Sequence, residues 1–153
     1  MSEQLQKEIQ DINKLILEVG IRVEEGVRNS MIALKNMNSS EAKKVQDNDR
    51  IIDRLEVDVE EMCLKCFALH QPVAIDLRYI FAVTKINNDL ERIGDLATNI
   101  AGTVKHLEDH PSVIVPNRVY KMSQIVEKML KISLDALVNK NATMARTVLE
   151  MDD

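Results

Sequence analysis

An all-α fold is what this sequence predicts, and three features carry the prediction. Glycine and proline number only 4 and 3 in 153 residues, so long stretches run without a helix breaker. Apolar residues recur at alternating spacings of three and four through several of those stretches. Aromatic residues make up 3% of the chain and tryptophan is absent, so a core must come from Leu, Ile, Val, Met and Ala, which suits helix packing better than a β-sandwich. The expected architecture is an antiparallel three-helix bundle over 1–110, followed over 111–153 by the first one and a half helices of a second, repeated three-helix bundle.

The first helix is predicted from Leu5, Ile9, Ile12, Ile16, Val19, Val23, Gly26, Ser30, Ala33 and Met37, a continuous seam that Ser2 can cap. The period breaks at Asn38. Ser39 or Ser40, followed by Glu41, offers the start of a second helix with a seam through Val45, Asn48, Ile52, Leu55, Val59, Met62, Cys66 and Leu69. Pro72 suits the first turn of a third helix, whose seam runs Ile86, Leu90, Ile93, Ala97, Ile100, Val104 and Leu107. Helices of this kind, at about 30 residues or more, are each about 45 Å long and pack side by side. The segment from His110 to Pro116 reads as a linker. A fourth helix begins near Pro116, Asn139-Lys140-Asn141 breaks it, and a fifth starts near Ala142 and runs to Asp153 with no stop signal.

An internal repeat organises these elements. Displacing the sequence by 103 positions pairs Ser30 to Asp49 with Ser133 to Asp152, and eight of the twenty pairs are identical, including Asn36/Asn139, Asn38/Asn141 and Asp49/Asp152. Two amphipathic helices share apolar positions by chance, but not turn asparagines. The fourth helix therefore repeats the first and the fifth repeats the second, so that the second unit is expected to be incomplete, as in a fragment or an early stop. Its uncovered seams predict oligomerisation, domain exchange or disorder after Pro111.

The net charge of −5 and pI near 5.3, without clustered Lys and Arg, exclude nucleic acid as the main partner. No basic segment followed by an apolar run opens the chain, and no apolar stretch spans a membrane, which predicts a cytoplasmic protein without membrane insertion. The chain contains no G-x-S-x-G, no phosphate-cradling glycine loop and no H-E-x-x-H, so an enzyme is not expected.

Acidic side chains carry the functional signal. Asp49 and Asp53 stand one turn apart on the second helix, with Glu56 and Glu60 continuing the flank, and Glu91 and Asp95 stand one turn apart on the third. Two carboxylates at i and i+4 can share a hard or borderline cation, and a second pair from a neighbouring helix raises the coordination number. The plainer alternative is a solvated acidic face paired with Arg50, Arg54 and Arg92. At 100° per residue the Glu91/Asp95 stripe faces nearly away from the predicted third seam, which makes any site there shallow and solvent-facing. Cys63 and Cys66 match C-x-x-C, but no second pair and no βαβ pattern accompany them, so they read as buried thiols. His70, His106 and His110 sit near helix ends, where positive charge suits the dipole. A helical carboxylate metal-storage or redox protein of the ferritin type is a further alternative; the Glu-x-x-His it needs is missing, since Phe67, Thr103 and Leu107 precede the three histidines at that spacing.

Two runs carry a family resemblance: His70-Gln71-Pro72-Val73-Ala74-Ile75-Asp76-Leu77-Arg78, and Asp89-Leu90-Glu91-Arg92-Ile93-Gly94-Asp95-Leu96-Ala97-Thr98-Asn99-Ile100. With Asp49-Arg50-Ile51-Ile52-Asp53 upstream, they strongly resemble the PhoU family, which is similarly built from two three-helix repeats. The resemblance covers essentially the whole chain. It implies a negative regulator of phosphate uptake and phosphate-starvation signalling, acting as a protein-binding adaptor on the ATPase subunit of a phosphate ABC transporter and on a sensor histidine kinase; the uncovered seams add the expectation of a homo-oligomer. The family's E(D)-x-x-x-D motif implies multinuclear iron or another divalent metal held by Asp49, Asp53, Glu91 and Asp95, with Asp152 matching Asp49 in the second repeat.

Overall fold

A computed structural model of the chain describes residues 3–152 and shows five helices, with no strand among the described residues: α1 (Glu3–Asn36), α2 (Ser39–His70), α3 (Ala74–Glu108), α4 (Asn117–Val138) and α5 (Ala142–Asp152). The expected Ser2 cap lies outside the described residues. The α1 seam from Leu5 to Ala33 is buried as its spacing predicts. Asn38, rather than either serine, caps α2: its side chain accepts hydrogen bonds from the backbone N–H of Ser40 at 2.9 Å and Glu41 at 3.1 Å. At the other end of α2, Gln71 turns left-handed, at φ 44°, and donates its N–H to the Phe67 carbonyl. Pro72 and Val73 then precede α3 instead of opening it, and Ala74 is the first helical residue.

Cross-helix contacts fix the directions. His70 at the end of α2 pairs with Glu8 near the start of α1, while Ser39 at the start of α2 donates to Glu108 at the end of α3. Tyr79 donates to Asn13, so α3 runs parallel to α1 and antiparallel to α2. Ile12, Ile16, Ile52 and Ile80 are wholly enclosed between these three rods, each contributing about 1.5–3 kcal/mol by leaving water.

Two parts of the predicted packing are corrected. Leu69 is 63% exposed and the α2 seam ends at Cys66, which is buried as expected, with Cys63 more deeply buried than Met62 beside it. More consequentially, α3 is turned. Its buried line is Ile80, Val83, Asn87, Leu90, Gly94, Ala97, Ala101 and Val104, so Asn87, Gly94 and Ala101 enter the interface while Ile86, Ile93 and Ile100 are only partly buried on the other side. The predicted seam favoured the bulky isoleucines; close helix approach selects small residues instead. The turn carries Glu91 and Asp95 from the far side of α3 to the edge of the α2–α3 interface.

The second hairpin repeats the first in detail. Met37 and Lys140 are both left-handed, at φ 48° and 50°. The N–H of Asn38 bonds to Ala33 O and that of Asn141 to Ala136 O, while Ala42 N–H bonds to Asn38 O as Ala145 N–H does to Asn141 O. Asn141 Oδ1 accepts from the Met144 N–H, as Asn38 Oδ1 does from the Glu41 N–H. Every one of these pairs is related by the same displacement in sequence as the repeat. The α4 helix runs antiparallel to α1, with Arg28 facing Glu127 at 3.4 Å, and Leu134 fills the cleft over Gly20, where an added β-carbon would stand 2.5 Å from Leu134 Cδ1. No described helix is long and apolar enough to cross a membrane.

Candidate functional site

The rotation of α3 creates an acidic cluster across the α2–α3 interface. On α2, Asp49, Asp53, Glu56 and Glu60 follow one another at spacings of four, three and four, lining one flank of the buried seam. On α3, Glu91 and Asp95 face them. Gly94 makes the approach close, because a β-carbon there would lie 3.3 Å from Asp49 Oδ1 and 3.4 Å from Ile52 Cδ1.

The electrostatics are those of carboxylates crowded without cations. Burial, then the charges of Asp53 and Asp95, push the Asp49 carboxyl above its usual range; the nearby Thr98 hydroxyl works in the other direction. Even so, Asp49 Oδ1 and Thr98 Oγ1 are buried without a well-formed hydrogen bond. Glu91 is raised too, by burial, by the charge of Asp95, by sharing a hydrogen bond with Asp95, and by Glu56 and Asp53. Burial and the charges of Glu60 and Asp53 raise Glu56.

The plainer alternative needed arginine partners. Among the described residues, none of these six carboxylates belongs to an ion pair, and Arg54 Nε donates instead to the Arg50 carbonyl at 3.2 Å. Nor, among the described residues, do three or more His, Cys, Asp or Glu side chains converge tightly enough to hold an ion as they stand. An orphaned buried Asp49 oxygen and an all-oxygen donor set fit a hard or borderline divalent ion.

Asp152 stands elsewhere. It lines a groove with Asp89 and Ile93. Asp89 and Glu91 are two positions apart, about 200° around α3, so Asp152 is not drawn into the Asp49 cluster. The cysteines are free and buried, and burial first, then Cys66 and Glu60, hold the Cys63 thiol up at about 11, so it stays protonated near neutral pH. His70 Nε2 lies 3.1 Å from Glu8 Oε2, a bundle-end contact that its helix-end position did not foretell. Gly94 and Thr98 were not singled out from sequence either; a glycine inside an otherwise helical D-L-E-R-I-G-D run is the signal that finds the first.

Comparison with known proteins places the chain as a whole. The PhoU domain matches residues 16–104 and 119–153. The chain is 35% identical over 147 residues to the phosphate-specific transport system accessory protein PhoU homolog of Aquifex aeolicus (strain VF5), covering 96% of this chain and 66% of that protein. It is 33% identical to the homolog of the same name from Clostridium acetobutylicum, covering 97% and 68%. The chain thus spans about two thirds of the length of the curated relatives it matches. The crystal structure of PhoU from Pseudomonas aeruginosa superimposes with a TM-score of 0.92 at 32% identity, covering 96% of this chain and 71% of that one. A PhoU structure from Streptococcus pneumoniae, at 24% identity and a TM-score of 0.89, shares the fold.

Proposed function

This chain belongs to the PhoU family, and from that premise we propose that it acts as a cytoplasmic, non-enzymatic accessory to phosphate transport, a negative regulator of phosphate uptake and phosphate-starvation signalling. It does so as a protein-binding adaptor, engaging the ATPase subunit of a phosphate ABC transporter and a sensor histidine kinase through helix surfaces. The names of these relatives supply the accessory role.

The single observation that carries the site's part in this is the un-neutralised acid cluster at the α2–α3 edge. Asp49, Asp53, Glu91 and Asp95 would hold iron or another divalent ion, alone or in a multinuclear cluster, with Glu56 on the flank. Such an ion supplies positive charge that ties α2 to α3. The protein's own residues do the remainder: Gly94 lets the helices approach, Ile52 floors the cluster, and Asp49 anchors it at the buried edge. Free phosphate is not expected to bind tightly to the metal-free protein, because the surface repels anions.

Elemental analysis of protein purified without an affinity tag or chelator tests the cation. Bound divalent metal in the parent chain, lost in a variant carrying Asp49→Asn, Asp53→Asn, Glu91→Gln and Asp95→Asn, is the expected result; equal metal in both sinks it. Co-purification with the transporter ATPase subunit tests the adaptor role. Absence of any complex, in the presence and absence of added iron, would overturn that part.

A further inference from the structure

The chain carries three histidines, and two of them meet. His106 and His110 stand at the end of α3 with their rings 4.5 Å apart, centre to centre, and tilted by 39°, and both are exposed to solvent. Asp109 keeps right-handed helical angles, at φ −77° and ψ −8°, so His110 follows His106 by one turn although α3 ends at Glu108. The third histidine, His70, lies at the opposite end of the bundle and is engaged with Glu8.

The His110 ring is held in one orientation. Its Nδ1 lies 2.8 Å from the His106 carbonyl oxygen, and a carbonyl can only accept, so Nδ1 carries the proton and donates. In the neutral ring that leaves the Nε2 lone pair bare. Imidazoles that ligate metals are held in this way, with the far nitrogen donating to a backbone carbonyl that fixes both tautomer and direction. A histidine serving only as a cation at a helix end requires no such anchor and no second imidazole beside it.

We propose that His106 and His110 chelate a borderline first-row divalent cation, copper(II) most tightly and zinc(II) or nickel(II) less so. Two histidines at i and i+4 on one helix face are the zinc-binding pair of the H-E-x-x-H motif, and with nitrogen donors affinity in the divalent series peaks at copper(II). Among the described residues no third histidine, cysteine or carboxylate converges with them, so the protein supplies two donors and water the rest. The site is therefore weaker than a closed four-ligand one. It shares no residue with the acid cluster, whose donors are oxygens.

The position of the pair gives the ion a structural task. His110 opens the linker to α4, and its carbonyl accepts the Val113 N–H at 3.0 Å, with Pro111 between them. Chelation clips the first turn of that linker to the last turn of α3.

Copper(II) titration of the full chain, followed by electron paramagnetic resonance, tests the site. The chain used carries Asp49→Asn, Asp53→Asn, Glu91→Gln and Asp95→Asn, so that the acid cluster does not compete. The expected result is one copper per chain with splitting from two nitrogens. Loss of a ligand costs at least as much as loss of its outer-shell partner, so His106→Asn or His110→Asn should each weaken binding by at least about tenfold. Undiminished affinity in both single variants, or bound copper without nitrogen splitting, overturns the proposal. Zinc at about ten times its Kd should slow proteolysis within 111–116 by about tenfold in the chain with both histidines, because cleavage then waits on the metal-free fraction. An unchanged rate with zinc bound overturns the clip.

Discussion

The two helical hairpins of this chain reverse direction through the same set of hydrogen bonds, yet the first is enclosed and the second is not. α1 and α2 bury a seam along most of their length, because α3 closes the third side. α4 buries only Leu130, Leu134 and Ala136, and α5 buries no residue at all. Local sequence therefore suffices to build the turn, through a left-handed residue and an asparagine cap, but enclosure depends on a third rod.

The sharpest way to break this comparison is to truncate an apolar side chain in each half. Ile16→Ala should cost about 3–4 kcal/mol in urea unfolding, whereas Leu149→Ala, at a position 71% exposed, should change stability by less than about 0.5 kcal/mol. Similar losses at the two sites would mean that the hairpins are equally enclosed. Next in size is the joint between the halves. Gly20→Val should destabilise by about 1–3 kcal/mol by driving Leu134 off α1, and limited proteolysis should then cut first between α3 and α4. Adding Leu134→Ala should restore resistance; failure to do so would place the effect elsewhere.

Caps sharpen the comparison further. Asn38→Ala should lower global stability by about 1 kcal/mol, while the repeat-related Asn141→Ala should leave it nearly unchanged and only speed amide exchange in α5. The smallest effect belongs to the acid cluster. Asp49 and Glu91 have folded-state pKa values above their ordinary ones, so the folded chain binds more protons than the unfolded chain in the range just above the usual carboxylate pKa. Stability contributed by these two groups therefore falls as pH rises through that range and is recovered on acidification. Thermal melts of Asp49→Asn at neutral pH should show a slight gain over the parent and a flatter response across that interval. An unchanged pH profile would show that burial and the charges of Asp53 and Asp95 do not raise the Asp49 carboxyl.

Much of the fold was legible before any coordinates. The α1 seam, the break at Asn38, the linker before Pro116 and the helix starting at Ala142 all follow from periodicity and breakers, which are local. What sequence missed depends on neighbours. The rotation of α3 was hidden because Ile86, Ile93 and Ile100 outweigh Asn87, Gly94 and Ala101 on any hydrophobic scale, although the smaller set is what lets α2 come close. Asn87 is tolerated there because its Nδ2 donates to the Glu56 carbonyl, a contact between distant parts of the chain. Asp49, Asp53, Glu91 and Asp95 were picked out by spacing, but the partly buried setting of Asp49 and Glu91, beside an exposed Asp53 and Asp95, followed only from that rotation. Pro72 misled by two residues, since α3 begins at Ala74 after a left-handed Gln71 has ended α2.

The seating of Leu134 on Gly20 has a mechanical consequence. The backbone of α4 packs closely on α1 and α5 and reaches α3 only through side chains such as Leu130 and Leu134, so the second hairpin is held mainly along one side. A lever anchored near Gly20 translates a small tilt at its root into a larger excursion at Val148 and Asp152, which widens or narrows the gape opposite Ile86 and Ile93. The bore of that jaw is thus set at α1, a helix that contributes none of its lining.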